Sequence, residues 1–227
     1  MTFTRYAIYF APSRQASWAD FATRWLGWDA EAGEAVVHPV LGGIDVASVT
    51  EAPRKYGLHA TLKPPFRLRE GQSVEALQTA CAQLAASGSP ITLQGLAVTR
   101  LGRFLALCPQ GDTHALNALA AACVVDLDNF RAPVTEAEIA RRRGPHMTPE
   151  QDTNLIRWGY PYVMDAFRFH ITLSGRMDKP TLTHVQSTLE SHLDPLLPSP
   201  FQINDLALVG EAEDGRFHLI QRYALSG

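Results

Sequence analysis

Two periods of hydrophobic and polar positions alternate along this chain of 227 residues. The apolar run from Arg5 to Phe10 has strand length, and a helical pattern with Trp18, Phe21, Trp25 and Leu26 on one face follows it. The stretch "GLHATLKPPFRL" (57–68) reads as a strand that ends at the Pro64–Pro65 break. Ser73 then caps a helix with Val74, Leu77, Cys81 and Leu84 inward, stopped by "SGSP". Residues 91–98 and 103–109 read as a hairpin across "TRLG". An Ala-rich helical pattern runs from Asp112 to about Val125, and a long polar stretch occupies 128–166. The pattern then begins again. "FRFHITLSG" (167–175) is strand-like, and Asp178 caps a helix with Pro180 in its first turn and Leu182, Val185, Leu189 and Leu193 on one face. "DPLLPSP" stops it, and strands follow at 201–209 and from Arg216, separated by "GEAEDG".

The order His-strand, helix, strand, strand therefore occurs twice. The tetrads "HATL" and "HITL" lie 111 residues apart, from His59 to His170. The distance from His59 to Ile91 is 32 residues and from His170 to Phe201 is 31; from His59 to Arg103 is 44 and from His170 to Arg216 is 46. A long period that occurs only twice predicts a pseudo-twofold arrangement rather than a solenoid. The expected fold is α+β, a single bilobal domain over 1–227. Its two pseudo-symmetric lobes of antiparallel sheet, with flanking helices, surround a central cleft. Repeat 1 covers about 54–109, a connecting segment 110–166, and repeat 2 about 167–225.

Composition narrows the function. Hydrophobic residues make up 46%, enough for a sizeable core, and the net charge is −3, which argues against coating of large nucleic acid. The three cysteines (Cys81, Cys108, Cys123) lack metal-ligand spacing and read as reduced thiols. The N-terminal apolar run is too short for a membrane span and lacks a basic leader, so a cytoplasmic location with no membrane association is expected.

In a strand, residues i and i+2 share a face. His59 and Thr61 therefore project together, as do His170 and Thr172, and symmetry brings the two strands to one cleft. Two imidazoles and two hydroxyls suit in-line displacement at phosphorus. One imidazole takes a proton from water, the other delivers one to the leaving oxygen, and the hydroxyls donate to the non-bridging oxygens. Lys63 (i+4 from His59) and Arg168 (two before His170) share those faces by strand parity. Arg141, Arg142 and Arg143 form either a solvated helix end or a phosphate-binding group on a segment that covers the cleft. The other histidines, His146 beside "RRRG" among them, have no repeated context. Tyr56, Tyr160 and Tyr162, near Pro and Gly, read as structural aromatics. Neither motif brings Cys, Asp or Glu to matching positions, so no metal and no cofactor is expected.

These motifs resemble those of the 2H phosphoesterase superfamily, which carries two His-x-Thr/Ser motifs. The flanks "YGLHATLKPPF" and "GYPYVMDAFRFHITLSG" are similar to a bacterial subgroup associated with phosphonate metabolism. The resemblance covers most of the chain. It implies metal-independent opening of a small cyclic phosphate, with His59 and His170 catalytic and Thr61 and Thr172 binding the phosphate. The subgroup's association implies a phosphorylated ribose 1,2-cyclic phosphate. Two alternatives remain open at this point: the same chemistry on a short RNA end (a 2′,3′-cyclic phosphate or a 2′–5′ linkage), and a module that binds a phosphoryl ligand without turnover. The sequence leaves the oligomeric state and the acid and base assignments undetermined.

Overall fold

Each element forms where the local pattern and its stop signals agree. The structure, a computed structural model, describes residues 2–227. β1 (Arg5–Phe10) leads into α1 (Ser17–Leu26), which ends at Gly27 in the left-handed conformation, φ 84°. A small hairpin, β2 (Trp28–Asp29) and β3 (Glu34–Ala35), and two single turns, α2 (Val46–Val49) and α3 (Glu51–Arg54), fill the loop before the first motif. The first repeat supplies β4 (Ala60–Phe66), α4 (Val74–Ser87), β5 (Ile91–Leu93), β6 (Gly95–Leu101) and β7 (Phe104–Gln110). The connecting segment holds α5 (His114–Asp126), α6 (Glu136–Arg142) and α7 (Pro149–Trp158). The second repeat supplies β8 (Ile171–Thr172), α8 (Lys179–Leu193), β9 (Phe201–Ile203), β10 (Asp205–Glu211) and β11 (Phe217–Ala224). The side chains of Ser73 and Asp178 cap α4 and α8 by accepting from the amides of Ala76 and Thr181. No helix among the described residues is long and apolar enough to cross a membrane.

Seven strands make one antiparallel sheet in the order β11-β10-β1-β4-β8-β7-β6. The repeats are exchanged within it. The hairpin of the second repeat joins β4 through β1, while the hairpin of the first repeat pairs with β8. The helices follow: α4 packs on β10 and β11, and α8 on β6 and β7. To cross over, each repeat makes a short strand on the core side, and these pair antiparallel with Ile91 opposite Ile203 and Leu93 opposite Phe201. This is why the strands expected at 91–98 and 201–209 each break, at Gln94 and Asn204, between the small sheet and the large one.

The main core lies on the helix-covered face, where Ile8, Leu62, Leu77, Leu107, Leu116, Ile171 and Leu189 are all at or below 1% exposed. A smaller cluster of Ala7, Tyr9, Ala207, Val209 and Phe217 lies apart from it. Alternate residues of β1 thus serve opposite faces, as the pleat requires.

β4 departs from the expectation in two ways. It does not stop at the prolines but runs through Pro64 and Pro65 to Phe66. Only Ala60 of this strand pairs with β8, so beyond it that edge of β4 needs no proline N–H for a ladder. The strand is also bulged. Thr61 opposes Tyr9 and Lys63 opposes Ile8, two residues against one, and from Lys63 to Phe66 three steps oppose two. The first bulge turns Lys63 to the face of Ile8, under α5. There it is 2% exposed, its Nζ donates to Val124 O at 2.8 Å, and it lies 3.5 Å from Asp128 Oδ1.

Burial pushes the Lys63 amine down from 10.5 to about 8. A group depressed in the fold contributes stability above its unfolded value, and that stability is lost as pH falls from about 10.5 through about 8. At neutral pH the ammonium therefore works against folding, by at most about 3 kcal/mol, offset by its bond to Val124. Lys63→Met should unfold at neutral pH with a free energy no lower than that of the parent chain. Its advantage should shrink as pH rises toward 10.5, as denaturant titrations at both pH values would read.

Candidate active site

The seam between β4 and β8 positions the two motifs. Ala60 pairs with Ile171. Continuing that antiparallel register by one residue each way places His59 opposite Thr172 and Thr61 opposite His170, all on the face away from Ala60 and Ile171. Each imidazole thus has the other motif's hydroxyl across from it, and the two histidines are diagonal neighbours, with backbones roughly 7–8 Å apart. Leu62 and Leu173 point into the main core. Trp25 Nε1 donates to Leu173 O at 2.7 Å, and the Ser174 hydroxyl accepts from Leu105 N at 2.9 Å, so the short β8 is fixed by α1 and β7.

The two imidazoles are held alike. His59 Nδ1 lies 3.1 Å from Gly57 O, and His170 Nδ1 lies 2.7 Å from Arg168 O. A carbonyl oxygen only accepts, so Nδ1 carries the proton in both and Nε2 is the free nitrogen of each neutral ring. Their surroundings differ. His59 lies against Tyr9 at a centroid distance of 4.1 Å and Tyr56 at 5.5 Å, and Tyr56 stacks on Phe217 at 5.0 Å. The nearest aromatic ring to His170 is Phe104, at 6.1 Å. Burial lowers the His59 pKa from 6.5 to about 4, with repulsion from His170 in the same direction and the Gly57 bond opposing. His59 is therefore neutral at pH 7.

The cleft has a volume of about 470 Å³. His59, Thr61, His170 and Thr172 line it together with Ser174, Arg5, Arg142, Tyr9, Tyr56 and Tyr160. Sequence reasoning passed over Arg5, a lone arginine at a strand start. Its two-point pairing with Glu211 on β10 (Nη2 to Oε1 at 2.6 Å) comes from non-local strand pairing, which leaves no local signal. Tyr9 was read only as a strand residue, and Tyr56 and Tyr160 as structural aromatics. Tyr162, 53% exposed, stays outside the lining.

Several candidate cations lie elsewhere. Lys63 is turned under α5 by the bulge, contrary to strand parity. Arg168 keeps its parity with His170, opposite buried Phe167 and Phe169, but its side chain is exposed, folds back to donate to Asp165 O and Phe167 O, and does not line the cleft. What it brings to the site is its carbonyl. Of the three consecutive arginines, Arg143 pairs with Asp152 at 2.6 Å on the surface, Arg141 is exposed, and Arg142 alone reaches the cleft. His146 is exposed and does not line it.

The connecting segment is folded. Thr135 with Glu138 and Thr148 with Gln151 form capping boxes on α6 and α7, and Gly159 at φ 77° ends α7. It thus brings Arg142, at the end of α6, and Tyr160, just after α7, to the cleft.

Comparison with known proteins places these residues in a family. Two curated relatives carry the name ribose 1,5-bisphosphate phosphokinase PhnN. The protein from Janthinobacterium sp. (strain Marseille) is 36% identical over 99% of this chain and 51% of its own length. The protein from Laribacter hongkongensis (strain HLHK9) is 32% identical over 93% of this chain and 49% of its own. The chain spans about half the length of the curated relatives it matches. Among solved structures, TT0787 of Thermus thermophilus aligns over 98% of both chains at 16% identity and TM-score 0.48. Escherichia coli LigT complexed with 3′-AMP aligns over 98% of both at 18% identity and TM-score 0.45. The sequence profile described as "Protein of unknown function (DUF1045)" matches residues 61–218, a span that holds Thr61, Arg142, His170 and Thr172, and the chain belongs to that family.

Proposed function

We propose that the protein is a metal-independent cyclic phosphodiesterase of the 2H type, acting on a small cyclic phosphate. One observation carries this reading: both His-x-Thr pairs line a single cleft, with each Nδ1 tied to the carbonyl two residues before it. Only Nε2 of each ring is then available for proton transfer. His59, held neutral by burial, takes the proton of the attacking water. The water oxygen bonds to phosphorus, the opposite ring P–O bond breaks, and His170 delivers its proton to the leaving oxygen. Thr61 and Thr172 donate to the non-bridging oxygens, where negative charge grows in the transition state.

The finer reading is that the ring is the 1,2-cyclic phosphate of a 5-phosphorylated ribose. Breaking the bond from phosphorus to O2 leaves the phosphate on O1 and yields ribose 1,5-bisphosphate, the compound in the name of the two relatives. A phosphoryl ligand can be bound without a paired acid and base, so the doubled imidazole favours turnover over binding alone.

A panel of cyclic phosphates, including nucleoside 2′,3′-cyclic phosphates, assayed in the presence of a strong chelator tests the reaction class. The rate should be unchanged by the chelator. Loss of activity restored by a divalent metal would overturn the two-imidazole scheme. His59→Ala and His170→Ala should each lower kcat by about 10²-fold or more while remaining folded. The double variant should lose far less than the product of the two, because the pair acts as a unit.

The pH profile separates the two roles. The acid limb of kcat/KM reports the free enzyme's base. It should hold through the mildly acidic range and fall only as pH nears about 4. An acid limb at the ordinary imidazole value of 6.5 would move the base away from His59.

A further inference from the structure

Two arginines line the cleft, Arg5 and Arg142, and several others near it are matched to carboxylates. Arg5 pairs with Glu211, Arg67 with Glu138, Arg131 with Asp128 and Arg143 with Asp152. Arg142 has no carboxylate within salt-bridge distance among the described residues. Its partner there is a neutral group, Gly159 O, which accepts from Nη1 at 2.8 Å.

This isolation is built into α6. Glu138 stands four residues before Arg142, the spacing at which a helical Glu and Arg ordinarily pair. Arg67 takes both oxygens of Glu138 instead, at 2.8 and 3.0 Å, and the amide and hydroxyl of Thr135 take what remains in the capping box. Arg142 is half-buried, and the bond to Gly159 ties the end of α6 to the end of α7. Arg142 lines both the cleft and a void of about 30 Å³, which is too small for a phosphate. Of the two, the cleft is the one in which an anion of that size could meet it. Burial works against the Arg142 charge, and Glu138, committed to Arg67, opposes that only at a distance, so a partly desolvated cation is left without a direct anionic partner. The other cation lining the cleft, Arg5, is already neutralised by Glu211.

We infer that Arg142 is the specificity-determining residue of this cleft, taking a second, dianionic phosphate of the substrate at a point remote from the ring that opens. The inference rests on the proposed reaction only for what happens at the other end of the substrate. Its consequence is that the cleft prefers cyclic phosphates that bear another phosphate, with α6 and α7 supplying the recognition. Binding energy at such a remote group positions the reacting centre.

Two measurements test it. The first is the ratio of kcat/KM for ribose 1,2-cyclic phosphate with and without a 5-phosphate. A hydrogen-bonded charge pair of this kind corresponds to a preference on the order of 10- to 100-fold. Arg142→Ala should reduce that ratio by this factor, Arg142→Lys should restore part of it, and Arg143→Ala should leave it as in the parent chain. The second needs no turnover. Calorimetry with ribose 1,5-bisphosphate and with ribose 1-phosphate gives the affinity gained from the second phosphate, and this gain should collapse in Arg142→Ala alone. An equal gain in parent and variant, or an unchanged kinetic ratio, overturns the role of Arg142. If the parent chain opens none of the cyclic phosphates, the reaction class fails, and the calorimetric comparison still decides the arginine.

Discussion

The site depends on one backbone pairing, Ala60 against Ile171, at the centre of the seven-stranded sheet. Strand parity makes this register all-or-none. A slip of one residue would carry His59 and Thr61 into the helix-covered core and leave Ala60 and Leu62 facing the cleft. The core side resists such a slip, since Ala60, Leu62, Ile171 and Leu173 are each at or below 1% exposed. The seam itself is short, so its register is held from outside it: by β1 and β7, by Trp25 on the carbonyl of Leu173, and by the pairing of β5 with β9. The exchange of hairpins between repeats serves the same end. Each half of the sheet contains strands from both repeats, so the place of either motif strand depends on both.

Identical motifs do not make identical groups. The backbone treats the two histidines alike, each with Nδ1 on the carbonyl two residues before it. The difference comes from what the repeats do not share. Tyr9 belongs to β1, which precedes both repeats, and Tyr56 lies in the loop before the first motif. Their rings close over His59 and have no counterpart at His170. The same chemical group set in two environments can take opposite roles in proton transfer. One strand outside the repeated pattern thus gives the two imidazoles the different surroundings that the proposed acid and base roles need.

Local features were legible in the sequence, and non-local ones were not. The caps of α4 and α8 and the strand parity of the two His-x-Thr pairs each depend on residues within one turn or one pleat, and each stands where the pattern put it. Hairpin exchange is decided by pairing between segments about 110 residues apart, with hydrophobic patterns too alike to distinguish the partners. Lys63 shows the limit of parity: a bulge of one residue, unmarked by any glycine, reverses its face, and a second irregularity restores parity by Phe66. In the connecting segment, the signals "TEAE" and "TPEQ" mark two capped helices. Which of Arg141, Arg142 and Arg143 faces inward depended on where α6 docks, and a run of three arginines carries no such information.

Under the proposed reaction, the repeats and the insertion meet different demands for rigidity. Proton transfer needs nitrogen atoms fixed to fractions of an ångström, which a sheet centre packed on the main core provides. Recognition of a remote charge tolerates more variation in position, since a guanidinium presents several donors and acts over a longer range. The histidines and threonines accordingly come from the paired strands, and the unpaired arginine from helices joined to the sheet through loops at 127–135 and 159–170. A change in α6 or α7 can then alter what is bound without disturbing the seam. A slip in the register of β4 against β8, by contrast, would displace the histidines and threonines of both motifs together.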